Sequence, residues 1–175
     1  LSAAIGQSYN SFSLIQIAKY ISMLANGGND IQPTIVQKII NSDGTEVSKE
    51  EIRNYINETA GINQEDKEEI SISQENLKAI LNGMESVTDD QGGTAYSIFK
   101  NFAISVGGKT GSAETSTGKV NAWFVGFAPF ENPEIAIVVM VENGGHGNYV
   151  AEVVRDIMAE YFGMNTQDVQ EDMSA

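Results

Sequence analysis

Apolar residues recur at helical spacing in three stretches of this chain, and crowd together or alternate in three others. Leu14, Ile17, Ala18, Ile21, Leu24 and Ala25 share one face of a helix that Ser11 or Ser13 can cap and Gly27-Gly28 stops. Leu77, Ile80, Leu81, Met84 and Val87 predict a second helix, capped by Ser73 and ended by Asp89-Asp90-Gln91-Gly92-Gly93. Val150, Val153, Val154, Ile157, Met158 and Tyr161 predict the last one, with Gly163 as its stop. Strands are expected at Pro33 to Ile40, at Val120 to Ala128 and at Ile135 to Val141. The first turns back through Ser42-Asp43-Gly44 into Thr45-Glu46-Val47. The third is nearly all apolar and β-branched, the pattern of a central strand buried on both faces. Gly93-Thr94-Ala95-Tyr96 leads into a further strand behind Phe102-Ala103-Ile104, and Pro129 to Pro133 makes a turn. Short connections between strands imply an α+β fold, an antiparallel sheet with helices laid over it.

Composition changes this picture at a few points. Residues 49–72 carry Glu50, Glu51, Glu58, Glu65, Asp66, Glu68 and Glu69 and read as a solvated surface excursion. Residues 164–175 read as an acidic, disordered tail, which leaves 1–163 as the domain. Acids outnumber bases 24 to 10, a net charge of -14, which argues against nucleic acid or an anionic membrane surface as a partner. With 175 residues, 41% of them hydrophobic, the chain is long enough for one domain with a core. It has no cysteine and a single histidine, His146, so a Cys or His metal cluster and a Ser–His pair are both disfavoured. His146, flanked by glycines, reads as a solvent-facing loop residue, and Trp123 as a core residue with its N–H on a loop carbonyl. No apolar run approaches the ~20 residues needed to span a bilayer, and no signal peptide is seen. The chain opens at Leu1 inside a patterned segment, Leu1 to Asn10 reading as a loop or short strand, as expected of a piece of a longer protein.

Chemistry concentrates at Ser105-Val106-Gly107-Gly108-Lys109-Thr110-Gly111-Ser112-Ala113-Glu114. Acyl transfer by a serine needs donors aimed at an oxyanion, each worth roughly 2.7–4 kcal/mol, and a cation near any anionic group of the substrate. An exposed strand edge offers unpaired backbone N–H groups. Here Lys109 supplies the cation, Thr110 a hydroxyl, Gly111 clearance for close approach and Ser112 an N–H. The competing reading is a phosphate loop, because Gly108-Lys109-Thr110 matches its end. It fails because Ala103 stands where the first glycine belongs, and because Gly111, Thr115, Thr117 and Gly118 do not read as a helix.

Lys109-Thr110-Gly111 followed by Ser112-Ala113-Glu114 resembles the third active-site motif of penicillin-binding proteins. Further short strings fall in that family's order: Ile5-Gly6-Gln7, Leu24-Ala25-Asn26-Gly27-Gly28, Gly93-Thr94-Ala95 and Ala122-Trp123-Phe124-Val125-Gly126-Phe127-Ala128-Pro129. Each is weak alone; the joint order carries the resemblance, which runs from Ile5 to about Phe162 and is nearest to the class B, monofunctional type. The family has Gly where Ser8 stands. The resemblance implies the C-terminal half of a transpeptidase domain, related in fold to the serine β-lactamases. It implies a parent enzyme that cross-links peptidoglycan stem peptides through an acyl-enzyme, is inhibited by β-lactams, needs no cofactor or metal, and sits membrane-anchored on the extracytoplasmic face. Lys109 and Thr110 would then hold the substrate carboxylate, and Ser112 would supply an oxyanion N–H.

The family's nucleophile lies in Ser-x-x-Lys at a helix start. This chain offers Ser97-Ile98-Phe99-Lys100 and Ser116-Thr117-Gly118-Lys119, neither with a helical frame, and Ser8-Tyr9-Asn10 imitates the second motif, Ser-x-Asn, in the wrong context. All three read as chance, so the nucleophile motif is absent and the chain alone is expected to be inactive. The alternative is a β-lactam-sensing receptor domain or a non-catalytic penicillin-binding module. Missing early strands would also leave a sheet edge open, through which the isolated chain could form a homodimer.

Overall fold

Hydroxyl caps and glycine stops set the ends of the main helices. The computed structural model describes residues 11–60, 72–145 and 147–164. Helix α1 spans Leu14–Ala25; Ser13 caps it, its side chain accepting from the Gln16 N–H while Gln16 reaches back to the Ser13 N–H. Gly27 and Gly28, at φ 87° and 97°, end it, the Gly28 N–H closing on the Met23 carbonyl. Helix α2 spans Lys49–Ala60 and α3 Gln74–Asp89, the latter capped by Ser73. A single turn, α4, covers Tyr96–Phe99. Strands β1 (Gly107–Glu114), β2 (Val120–Ala128) and β3 (Ile135–Val141) follow, and α5 (Asn148–Tyr161) closes the order. Among the described residues no helix is long and apolar enough to cross a membrane.

The strands form an antiparallel sheet in the order β1-β2-β3. Cross-strand partners share a face, and β2 divides its side chains accordingly. Ala122, Phe124 and Ala128 join Val150, Val154 and Met158 of α5, with Phe99 of α4, in one core. Phe127, with Val125 beside it, meets Ile21 and Leu24 of α1 and Leu77 and Met84 of α3 in another. The sheet is therefore a middle layer between α5 on one side and α1 with α3 on the other.

The structure departs from the sequence reading in four places. Pro33 to Ile40 is not a strand: its one ladder contact among the described residues is the bridge between Ile40 and Glu46, and Ile35 is 103% exposed. The turn at Ser42-Asp43-Gly44 does form, with Gly44 at φ 86°, but the arms find no third strand to pair with among the described residues. Within 49–72, Lys49–Ala60 is helical, nucleated where Ser48 Oγ accepts the Glu51 N–H at 3.1 Å. Its acids are exposed as expected. Strand β3 is not buried on both faces: among the described residues it lies outermost beside β2, with its other edge open as expected where early strands are missing, and Ile137 is its only buried residue. Trp123 is half-buried rather than core, and its indole N–H has no partner among the described residues. The expected segment Leu1 to Asn10, residues 61–71 of the acidic excursion with Glu65, Asp66, Glu68 and Glu69, His146 and the tail from 165 onward lie outside the described residues.

Candidate functional site

Strand β1 begins in tight packing and ends in the open. A Cβ on Gly107 would lie 2.4 Å from the Phe127 ring, and one on Gly108 would lie 2.6 Å from the Phe124 ring. The two glycines let both aromatic rings close over the strand's first residues. Thr88, buried in α3, donates to the Val106 carbonyl just ahead of β1. Ser105 donates to the Glu131 carboxylate at 2.6 Å and accepts the Phe130 N–H at 3.1 Å. The Ser105 hydrogen bond, first among its causes, holds the Glu131 carboxyl below its ordinary value. By these ties the start of β1 is fixed to α3 and to the turn after β2.

From Lys109 onward β1 has β2 on one side and no strand on the other among the described residues. Lys109 pairs across the sheet with Val125, Thr110 with Phe124 and Ser112 with Ala122. Alternation thus separates the expected site residues. Thr110 and Ser112 lie on the face covered by α5, and Lys109 on the face of α1 and α3. The sequence reading grouped Lys109 with Thr110 on one carboxylate; the register brings together Thr110 and Ser112 instead. Lys109 reaches across the strand, its Nζ donating to the Thr110 carbonyl at 2.5 Å. It makes no ion pair among the described residues. An exposed cation without a counter-ion, on a chain of net charge -14, is available to an external anion.

On its inner side Lys109 joins Ile17, Ile21, Ile80, Met84 and Val125 around an apolar hollow of about 620 Å³ between α1 and α3. Gly111 is hemmed by the protein itself. A Cβ on it would stand 3.2 Å from the Trp123 Cβ, and Gly147 approaches its backbone so closely that a Cβ on Gly147 would lie 2.7 Å from the Gly111 carbonyl oxygen. Its lack of a side chain therefore serves the strand's own packing as well as any ligand's approach.

The Thr110 hydroxyl meets one group the sequence reading left unassigned: Thr94 Oγ1, 2.8 Å away. The signal for it was present in Gly93-Thr94-Ala95, but only the fold brings that turn to β1. The two Ser-x-x-Lys strings stay apart from this edge. Ser97 is exposed on the single turn of α4, where no helix was expected, and Lys100 ends that turn. Ser116 lies in the turn before β2, whose bonds run between Thr115, Thr117 and Lys119. Neither serine bonds its lysine among the described residues. Among the described residues no group of three or more His, Cys, Asp or Glu converges there either.

Known proteins are similar to this chain in sequence and in fold. The model of the penicillin binding protein transpeptidase domain matches residues 1–159. Penicillin-binding protein H of Bacillus subtilis is 33% identical over 171 residues, covering 88% of this chain and 21% of its own length. Peptidoglycan D,D-transpeptidase MrdA of Haemophilus influenzae is 25% identical over 186 residues, 97% of this chain and 27% of its own length. The crystal structure of Pseudomonas aeruginosa PBP2 in complex with WCK 5153 superposes with a TM-score of 0.72 at 32% identity, over 90% of this chain and 32% of that one. The relatives are class B proteins, and this chain spans about a fifth to a quarter of the curated relatives' length. From the order of its elements, its edge strand and these likenesses, the chain belongs to the penicillin-binding protein transpeptidase domain family.

Proposed function

We propose that the protein carrying this chain is a serine D,D-transpeptidase that cross-links peptidoglycan stem peptides and is acylated by β-lactams. The observation that carries this reading is the edge of β1, where Lys109, without an ion pair among the described residues, neighbours two hydroxyls, Thr110 and Ser112, on a strand that has no outer neighbour among those residues. In the reaction, a serine oxygen bonds to the carbonyl carbon of a D-Ala-D-Ala peptide bond, and the terminal D-Ala leaves as its amine. An amine of a second stem peptide then takes the acyl group and frees the serine. Thr110 and Ser112 donate to the carboxylate of the departing residue, and Lys109 supplies the positive potential that draws it in. The Ser112 backbone N–H serves the developing oxyanion. The nucleophile and its base come from outside this chain, so the isolated 175 residues bind substrate groups without forming an acyl-enzyme.

A fluorescent penicillin and a denaturing gel test both halves. The full-length protein takes the label, and its Lys109→Ala variant does so roughly 10²-fold more slowly, the scale of one preorganised charge contact. The isolated chain stays dark. Equal rates in Lys109→Ala and wild type would remove Lys109 from the site. A covalent band on the isolated chain that vanishes with Ser97→Ala or Ser116→Ala would overturn the assignment of the nucleophile. Stable acylation of the full-length protein, with no transfer to an added amine from a peptide donor, would turn the reading toward a β-lactam-sensing receptor.

A further inference from the structure

Thr94 and Thr110 place their hydroxyl oxygens 2.8 Å apart, and either could be the donor. Burial gives no reason for the pair: Thr94 is exposed and Thr110 half-buried, so water would satisfy both at little loss. The surroundings nevertheless hold Thr94 in place. A Cβ on Gly93 would lie 2.3 Å from the Ser86 carbonyl oxygen and 2.4 Å from that of Val87, so the chain there is pressed onto the last turn of α3. The Gly93 N–H closes on the Asp90 carbonyl at 2.7 Å and the Ala95 N–H on the Val87 carbonyl at 2.9 Å. The Ala95 side chain is buried at 0% exposure. The backbone on both sides of Thr94 is thus pinned to α3, and α3 is tied to the start of β1 by Thr88 and Val106.

A hydroxyl has one proton and two lone pairs. When Thr110 gives its proton to an anion, it has none left for Thr94, and the bond between them must run the other way. We propose that Thr94 is a positioning residue of the carboxylate site. Its O–H donates to the Thr110 oxygen, fixes the Thr110 rotor and leaves the Thr110 proton aimed outward at a ligand carboxylate. Each bond in the chain from Thr94 to Thr110 to the anion polarises the next. This inference rests on the transpeptidase reading of the β1 edge. Thr94 touches neither the carboxylate nor the reacting atoms, so its effect is on recognition of the anion.

The test compares acylation of the full-length protein by benzylpenicillin and by its methyl ester, which keeps the reactive ring and lacks the anionic carboxylate. The quantity read is the ratio of the acid rate to the ester rate within each variant, from which any loss of folded protein cancels. Wild type favours the acid. Thr94→Val lowers the ratio roughly fivefold, the worth of one neutral hydrogen bond. Thr94→Ser keeps the donor and the wild-type ratio. In a Thr110→Val background, Thr94→Val lowers the ratio no further. An unchanged ratio in Thr94→Val, an equal loss for acid and ester, or additive losses in the double variant would overturn the inference while the transpeptidase reading stands. Absence of acylation in wild type would overturn that reading, and this inference with it.

Discussion

Glycine at the head of β1 is a packing requirement before it is anything else. The Phe127 ring occupies the space a Gly107 side chain would need, and the Phe124 ring does the same at Gly108. Gly107→Ala is expected to destabilise the chain by about 1–3 kcal/mol, the range for overfilling a packed site, which urea unfolding measures; an unchanged midpoint would mean that the rings shift freely. Charge gives a second residue-scale expectation, at the C-terminal end of α3. Burial, then the charges of Asp89, Glu131 and Asp90, push the Glu85 carboxyl above its ordinary value of 4.5. A raised folded-state value means that ionisation is harder in the folded chain than in the unfolded one. The resulting penalty is absent well below pH 4.5, builds as pH rises from there to the folded-state value and is complete above it. Glu85→Gln should therefore raise the melting temperature at pH 7 and leave it unchanged at pH 4. A melting temperature that rises equally at both pH values would assign the gain to something other than this carboxylate.

Among the elements, the amphipathic helices were legible because each carries its signals locally. Ser13 and Ser73 cap, Gly27, Gly28 and Gly163 stop, and the apolar spacing lies between them. The stretch Pro33 to Ile40 misled for the opposite reason. Its side chains favour a strand, but a strand needs a partner, and among the described residues the fold brings it only the Ile40–Glu46 bridge. The helix Lys49–Ala60 went unread because Ile52, Tyr55 and Ile56 make too short an apolar stripe among acids. The contact that seats α3 against β1 joins residues far apart in sequence and could not be read at all. Thr88→Val keeps the shape of the side chain and removes the donor to the Val106 carbonyl. An expected loss of about 1–3 kcal/mol follows for the unmatched acceptor, and amide hydrogen exchange in β1 should quicken with it. Wild-type exchange and stability in this variant would show that α3 is held by its apolar contacts alone.

For the whole molecule, the described residues leave apolar surface open on several sides. On α5, Tyr149, Val153, Ile157 and Tyr161 recur one turn apart at 42%, 43%, 42% and 53% exposure. The same helix buries Val150, Val154 and Met158 against the sheet, so its apolar residues face two directions. The outer edge of β3 and the hollow between α1 and α3 add to this. Each large aliphatic side chain left wet forgoes roughly 1.5–3 kcal/mol, against a typical stability of ~5–15 kcal/mol. The isolated chain is therefore expected to associate, most simply as a two-fold dimer, with a weight-average mass by light scattering that falls on dilution. A compact monomer at micromolar concentration, unfolding cooperatively, would show that these faces need no cover. The amino-acid sequence determined the main helices, the strands after Gly107, the antiparallel class and the family, since periodicity, caps and short motifs are properties of neighbouring residues. It also marked Lys109, Thr110, Gly111 and Ser112 as the chemical stretch. Tertiary structure alone decided which of their side chains share a face, because that depends on the register with β2. It decided that β3 is largely half-buried beside β2 among the described residues, because a run of β-branched residues looks the same with one neighbour as with two. And it alone set Thr94 beside Thr110, because a bond across sixteen positions exists only once α3, its closing turn and β1 are packed together.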